Sequence, residues 1–223
     1  MLYLYAITES DRVPTISGLH GASLRAVGRP PLLAIASEHD DLLLEPAEDV
    51  LWSHEQVVEE LMKAGSVLPM RFGSSLPDEA AVLAFLEGRR QSLREALECV
   101  RGAVELSVRV ATGKDLDGRG GAGADGRATG TAYLLDRLER ERREKEVTVR
   151  VHTPLSSLAR ASTSWSGELR RSEWKAAYLV NHDRIDAFTE VVDHLDSELG
   201  GGGAVICTGP WPPYSFTAGA AAA

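Results

Sequence analysis

Three prolines, Pro210, Pro212 and Pro213, stand within four residues near the end of the chain, interleaved with Trp211, Tyr214 and Phe216. Each proline fixes φ near about −65° and removes a backbone donor. A strand that carries them is therefore confined to the edge of a sheet. Three aromatics in six residues, close to a terminus of Thr217, Gly219 and alanines, imply something for them to pack on. The tail, residues 209–216, either clamps the fold's own surface or presents an aromatic face to a partner. The clamp is the favoured reading, completing the second of two domains.

The rest of the pattern predicts an α+β chain of two domains, 1–102 and 103–223. Residues 2–7 are apolar on both faces, as in a central strand. Ser23–Val27 and Leu32–Ser37 read as strands around the turn Gly28-Arg29-Pro30-Pro31. A helix follows over Glu48–Lys63, then a strand over Ser66–Phe72. A second helix opens near Ser75 and runs to Val100, with Gly88 as a point of interruption. The first domain is thus a mixed sheet with helices.

In the second half, Val104, Leu106, Val108 and Val110 alternate as a strand. The segment 112–130 holds seven glycines and almost no large apolar residue, which predicts a flexible insertion. Helix resumes at Ala132. Residues 147–159 fit either period; helix is favoured, kinked at Pro154. A strand over Trp174–Val180, a helix capped by Asp183 and ended by Gly200–Gly203, and a strand over Ala204–Thr208 complete the half. This succession predicts a small open sheet with helices on one face, ferredoxin-like in outline.

Composition excludes several function classes. A net charge of −9 argues against general nucleic-acid binding, which needs a basic surface. No apolar run reaches membrane-spanning length, so no membrane insertion is expected. The first ten residues lack a basic region ahead of an apolar one and do not read as a signal peptide, which makes the cytoplasm the default compartment. Cys99 and Cys207, with no paired spacing, are expected to be buried reduced thiols.

No segment supplies convincing chemistry. Gly118-Arg119-Gly120-Gly121-Ala122-Gly123 fits the dinucleotide fingerprint formally. It floats inside the glycine-rich segment rather than on a strand-to-helix turn, so it reads as linker. His54-Glu55 lacks the second histidine of a zinc-peptidase helix, because Val58 stands there. His54 lies on the apolar face and is expected to be a satisfied core residue. Glu38-His39-Asp40-Asp41 reads as a solvated turn, and His182-Asp183 as a helix cap rather than a relay. Arg71, the single cation of its predicted strand, is expected to pair with Asp78, Glu79 or Glu55, ahead of the alternative that it binds an exogenous carboxylate or phosphate. No catalytic residue, metal site or cofactor is predicted.

Three segments then converge. Leu51-Trp52-Ser53-His54-Glu55-Gln56-Val57-Val58, Val67-Leu68-Pro69-Met70-Arg71-Phe72-Gly73, and Cys207-Thr208-Gly209-Pro210-Trp211-Pro212-Pro213-Tyr214-Ser215-Phe216 resemble the gas vesicle protein F/L family. The likeness runs in order over nearly the whole chain outside the glycine-rich segment. It implies a non-enzymatic accessory protein with two α+β domains, the second ferredoxin-like. It also implies association with the small hydrophobic shell protein during assembly, with other gas vesicle accessory proteins as further partners, and a place on the gas vesicle. Some members of the family are placed at the gas-facing side of the shell, and the chain would be cytoplasmic before assembly. The signature residues Pro69, Arg71, Phe72, Gly73, Trp211, Pro212, Pro213, Tyr214 and Phe216 are the candidates for partner contact. The competing class is a cytosolic ferredoxin-like module that binds a small molecule at a sheet edge.

Overall fold

The computed structural model describes residues 1–40, 47–112, 138, 142, 145–166, 173–198 and 203–217. Its internal contacts divide the chain into Met1–Glu105 with Pro210–Ala223, and Leu106–Gly209. The chain is α+β, with two antiparallel sheets and helices.

In the first unit β1 (Leu2–Thr8) is central and all seven of its residues are buried, as its apolar faces require. It pairs antiparallel with β3 (Leu32–Glu38) on one side and β4 (Val67–Pro69) on the other. Outside β3 lies β2 (Leu24–Arg29). A two-residue strand, β5 (Ser75–Leu76), also pairs with β1. Helix α1 (Glu48–Ala64) begins with two acids, Glu48 and Asp49, at the positive end of its dipole. It turns His54, Val57, Val58 and Leu61 inward, where the last three pack with Tyr3, Tyr5 and Ile35.

Two local expectations shift here, and the interruption expected at Gly88 is present. The strand predicted over Ser66–Phe72 ends at Pro69, because the chain turns at 71–74, where Ser74 N–H donates to Arg71 O at 3.0 Å. Gly73 holds φ +87° in that turn, a conformation that disfavours any side chain. The helix predicted from Ser75 starts later, since Leu76 precedes Pro77 and is held extended in β5. Asp78 then caps α2 (Glu79–Gly88) by accepting Ala81 N–H at 2.8 Å. Arg89 breaks the helix just past Gly88, and α3 (Arg90–Val100) follows.

In the second unit the order in the sheet is β7-β8-β6-β9, where β6 is Ala103–Thr112, β7 is Ala161–Ser166, β8 is Glu173–Asn181 and β9 is Gly203–Trp211. A π turn (Thr148–His152) leads into α4 (Thr153–Leu158), and α5 (Ile185–Glu198) precedes β9. The core joins Leu106, Val108 and Val110 to Tyr178, Phe188 and Val192. β9 carries Pro210 and lies at the sheet edge, where a missing donor breaks no interior ladder.

Helix over 147–159 is confirmed, but the departure from α geometry lies in the π turn before Pro154. β7 had no sequence signal beyond Trp165, since its other residues are alanine, serine and threonine. Asp183 does not cap α5; it sits inside a 3₁₀ turn, His182–Arg184, with Asn181 at the N-cap position. The glycine-rich segment from Gly113 on, the fingerprint-like 118–123, the helix start at Ala132 and Gly200–Gly202 lie outside the described residues. Cys99 and Cys207 form no disulfide, but Cys99 is exposed rather than buried, because α3 turns Leu93, Leu97 and Val100 inward instead. No helix among the described residues is long and apolar enough to cross a membrane.

Candidate functional site

Two adjacent residues of α1 organise both halves of the sequence signature. His54 takes the first half. It is 1% exposed, and its Nε2–H donates to the Met70 carbonyl at 3.1 Å. A carbonyl can only accept, so Nε2 carries the proton and Nδ1 accepts from the Tyr3 hydroxyl at 2.8 Å. The same tyrosine oxygen accepts Gly73 N–H at 3.3 Å. The turn at 70–73 is therefore held at both ends by one histidine–tyrosine pair. Tyr5 stacks on the imidazole with centroids 5.6 Å apart, and Phe72 meets it edge-on at 5.9 Å.

Burial lowers the His54 pKa to about 4, against a smaller upward pull from the Met70 carbonyl. Burial likewise raises the Tyr3 phenol. Both imidazole nitrogens are engaged, so the ring is neutral and structural, with no nitrogen left to bind a metal or take a proton.

Glu55 takes the second half. Tyr214 Oη donates to Glu55 Oε1 at 2.8 Å. The next tail residue is held by a second carboxylate. Ser215 N–H donates to Glu105 Oε2 and Ser215 Oγ to Glu105 Oε1, both at 2.8 Å. The tail itself is a tight turn, with Tyr214 N–H on Pro212 O at 2.8 Å and Phe216 N–H on Pro213 O at 3.1 Å. Burial raises the pKa of both glutamates while the tail's hydrogen bonds pull them back down. Burial also raises the Tyr214 phenol, reinforced by the Glu55 charge.

The tail is thus a clamp, but on the first unit rather than the second, because its acceptors Glu55 and Glu105 lie there. Pro212 and Pro213 are buried, Tyr214 and Phe216 are half-buried, and Trp211 is 44% exposed. Pro69 is buried in β4 opposite Ala6.

Arg71 corrects an expectation. Its side chain is exposed and makes no ion pair among the described residues. The three carboxylates expected to meet it are engaged elsewhere. Asp78 caps α2, Glu79 pairs with Arg25 at 2.7 Å, and Glu55 holds Tyr214. Sequence reading did not single out Tyr3, Glu105 or Ser215 as anchors. Glu105 had a signal: it is the one charge in Ala103–Val108 and falls on the strand face opposite Val104 and Leu106. In the acidic turn, His39 Nε2 is hydrogen-bonded to Ser37 Oγ at 2.8 Å, and Asp41 lies outside the described residues. No group of three metal-ligating side chains occurs among the described residues.

The family model "Gas vesicle synthesis protein GvpL/GvpF" matches residues 1–218. Gas vesicle protein L of a Streptomyces species is 31% identical over 250 residues, covering 96% of this chain and 91% of its own. Gas vesicle protein F of Haloferax mediterranei is 27% identical over 220 residues, covering 96% and 92%. The crystal structure of GvpF from Anabaena shares the fold with a TM-score of 0.80 at 22% identity, over 96% of this chain and 94% of that one.

Proposed function

The chain belongs to the gas vesicle synthesis protein GvpL/GvpF family, and from that premise we propose that it is a non-enzymatic accessory protein that binds the small hydrophobic shell subunit during vesicle assembly. The observation that carries this reading is the pinning of both signature halves to His54 and Glu55, which builds a rigid protein surface around α1 rather than a reactive cleft. A scaffold of this kind suits recognition of another protein: His54, Tyr3, Glu55 and Glu105 are all spent on holding the two signature segments in place. The acidic body, net −9, keeps complexes with an apolar subunit dispersed. Other gas vesicle accessory proteins are further partners in this reading, and the chain acts from the cytoplasm and then at the shell, on its gas-facing side. The β-α-β-β-α-β order of the second unit supports a ferredoxin-like domain there.

The signature residues then divide by role. Pro69, Phe72, Gly73, Pro212, Pro213, Tyr214 and Phe216 build the surface, whereas Arg71 and Trp211 present exposed side chains to the partner. The test is deletion of the gene, scored for gas-filled vesicles by electron microscopy, with complementation by single variants. Trp211→Ala is expected to weaken co-purification with the shell subunit and leave the fold intact. Tyr214→Ala is expected to lower thermal stability first. Normal vesicles in the deletion strain would overturn the assembly role.

A further inference from the structure

The most exposed indole of the first unit lies on the helix that anchors both signatures. Trp52 is 60% exposed on α1, and its neighbour Leu51 is 39% exposed. On a helix surface, residues three and four positions apart are neighbours. Around Trp52 those positions are Glu48, Asp49, Glu55 and Gln56. Three of the four are carboxylates and none is a cation. Lys63, the one lysine of α1, sits about three turns further along and pairs with Glu60.

Trp52 makes no ring contact or hydrogen bond with any described residue, and Glu48 and Asp49 make no ion pair among them. The face of an indole is itself electron-rich. An exposed ring face and its ring of carboxylates therefore favour the same thing, a positive charge. A guanidinium or ammonium over tryptophan is the strongest of the cation–π pairs. The docked tail bounds this patch, since Glu55, three residues after Trp52, holds Tyr214.

We propose that this flank of α1 receives a cationic segment of the shell subunit. An arginine or lysine lies on the face of Trp52, Glu48 and Asp49 supply the counter-charge, and an aliphatic neighbour packs on Leu51. This rests on the shell-binding reading above and names where on the chain it happens. Charge complementarity selects the occupant: a purely apolar segment would leave Glu48 and Asp49 facing it, and an acidic one would be repelled. The net negative chain also steers a basic segment toward the patch, so association is salt-sensitive.

The experiment titrates the full chain with purified, detergent-dispersed shell subunit, comparing wild type with Trp52→Leu, Trp52→Phe and the double variant Glu48→Lys/Asp49→Lys. Trp52 is exposed, so its variants are expected to keep the wild-type melting temperature; the charge reversal sits at the positive end of the α1 dipole and is expected to lower it slightly, with retained secondary structure by circular dichroism verifying its fold. Trp52→Leu keeps apolar area and removes the π face; it is expected to weaken binding about tenfold, with Trp52→Phe in between. The charge reversal is expected to weaken binding about tenfold at low salt and to converge on wild type near half-molar salt, an order-of-magnitude expectation from screening. Overlapping peptides of the shell subunit that bind in a Trp52-dependent way should contain lysine or arginine. Wild-type affinity in Trp52→Leu, or tighter binding by the charge reversal, overturns the inference while leaving the shell-binding reading standing. Trp52-dependent self-association in sedimentation, without shell binding through Trp52, overturns it in favour of a second copy of the chain. Failure of the wild-type chain to bind the subunit at all removes the shell-binding reading and the inference with it.

Discussion

His54 and His152 each hydrogen-bond through Nδ1 to a strand tyrosine, Tyr3 at 2.8 Å and Tyr178 at 2.9 Å. They differ in what the rest of the ring does. His54 is buried, and its second nitrogen holds a backbone carbonyl in a non-repetitive turn. His152 is half-buried, and its second nitrogen has only a 3.3 Å contact to Ser156 Oγ, four residues along the same helical run. One pair therefore creates backbone structure that no ladder or helix would impose. The other ties a helix to a sheet that already stands.

The largest effect is expected at His54. Substituting it with alanine removes the ring between Tyr5 and Phe72 and leaves the Met70 carbonyl and the Tyr3 hydroxyl without it. A core cavity and two abandoned polar groups together cost about 3–5 kcal/mol. The expected result is loss of cooperative unfolding in the first unit, with faster hydrogen exchange at Met70 and Gly73, while the amides of the second sheet keep their protection. A uniform small loss in both units would show that His54 holds nothing special.

A change of pH reaches the same contact without mutation. The His54 pKa is about 4 in the folded chain against about 6.5 for an ordinary histidine. Above the higher value the ring is neutral in both states and its contribution is complete. Between 6.5 and 4 the unfolded chain binds a proton that the folded chain refuses, so stability falls as pH falls, by about 3 kcal/mol in total. Glu55 and Glu105, with raised pKa values, act in the opposite sense, since the folded chain takes up their protons first. Denaturant unfolding of wild type and His54→Gln across this window isolates the histidine's contribution. The variant is expected to show a flatter pH slope, and parallel slopes would remove His54 as the source.

Much of this was legible in the sequence, and the illegible part has a physical reason. β1, β3 and α1 were readable because burial imposes period on the apolar residues, and the central place of β1 followed from its two apolar faces. The interruption near Gly88 and the edge position of the proline-bearing strand were readable from backbone chemistry alone. β7 was not, because an edge strand of serine, threonine and alanine needs no hydrophobic pattern. That His54 is satisfied could be read from its place on α1; which groups satisfy it could not. Tyr3 and Met70 lie 51 and 16 residues away, and only the fold brings them to it. The same holds for the tail. Proline and aromatic content called for a clamp, but the carboxylates that receive it are 159 and 110 residues distant in the chain, and neither advertises its role. Arg71 shows the opposite error: a cation beside apolar residues suggests a buried ion pair only while the segment is taken for a strand. Once the chain turns there, the guanidinium reaches solvent.

The smallest expected effect tests the second pair. Tyr178→Phe keeps a fully buried ring against Phe188 and His152, whose centroids lie 5.2 and 5.6 Å away, and removes only the hydroxyl. His152 Nδ1 then retains a 3.3 Å contact to Ser156 Oγ and, being half-buried, has access to water. A group that can rehydrate loses about 0.5–1 kcal/mol rather than the full penalty of a stranded partner. The same change at Tyr3 strands a buried imidazole nitrogen and also takes the acceptor from the Gly73 amide, and is expected to cost roughly two to three times as much. Thermal unfolding of the two phenylalanine variants side by side measures the ratio. A ratio near one would mean that the turn at 70–73 is held by the packing of Phe72 and Met70, and that the hydrogen bonds to Tyr3 follow from that packing rather than enforce it.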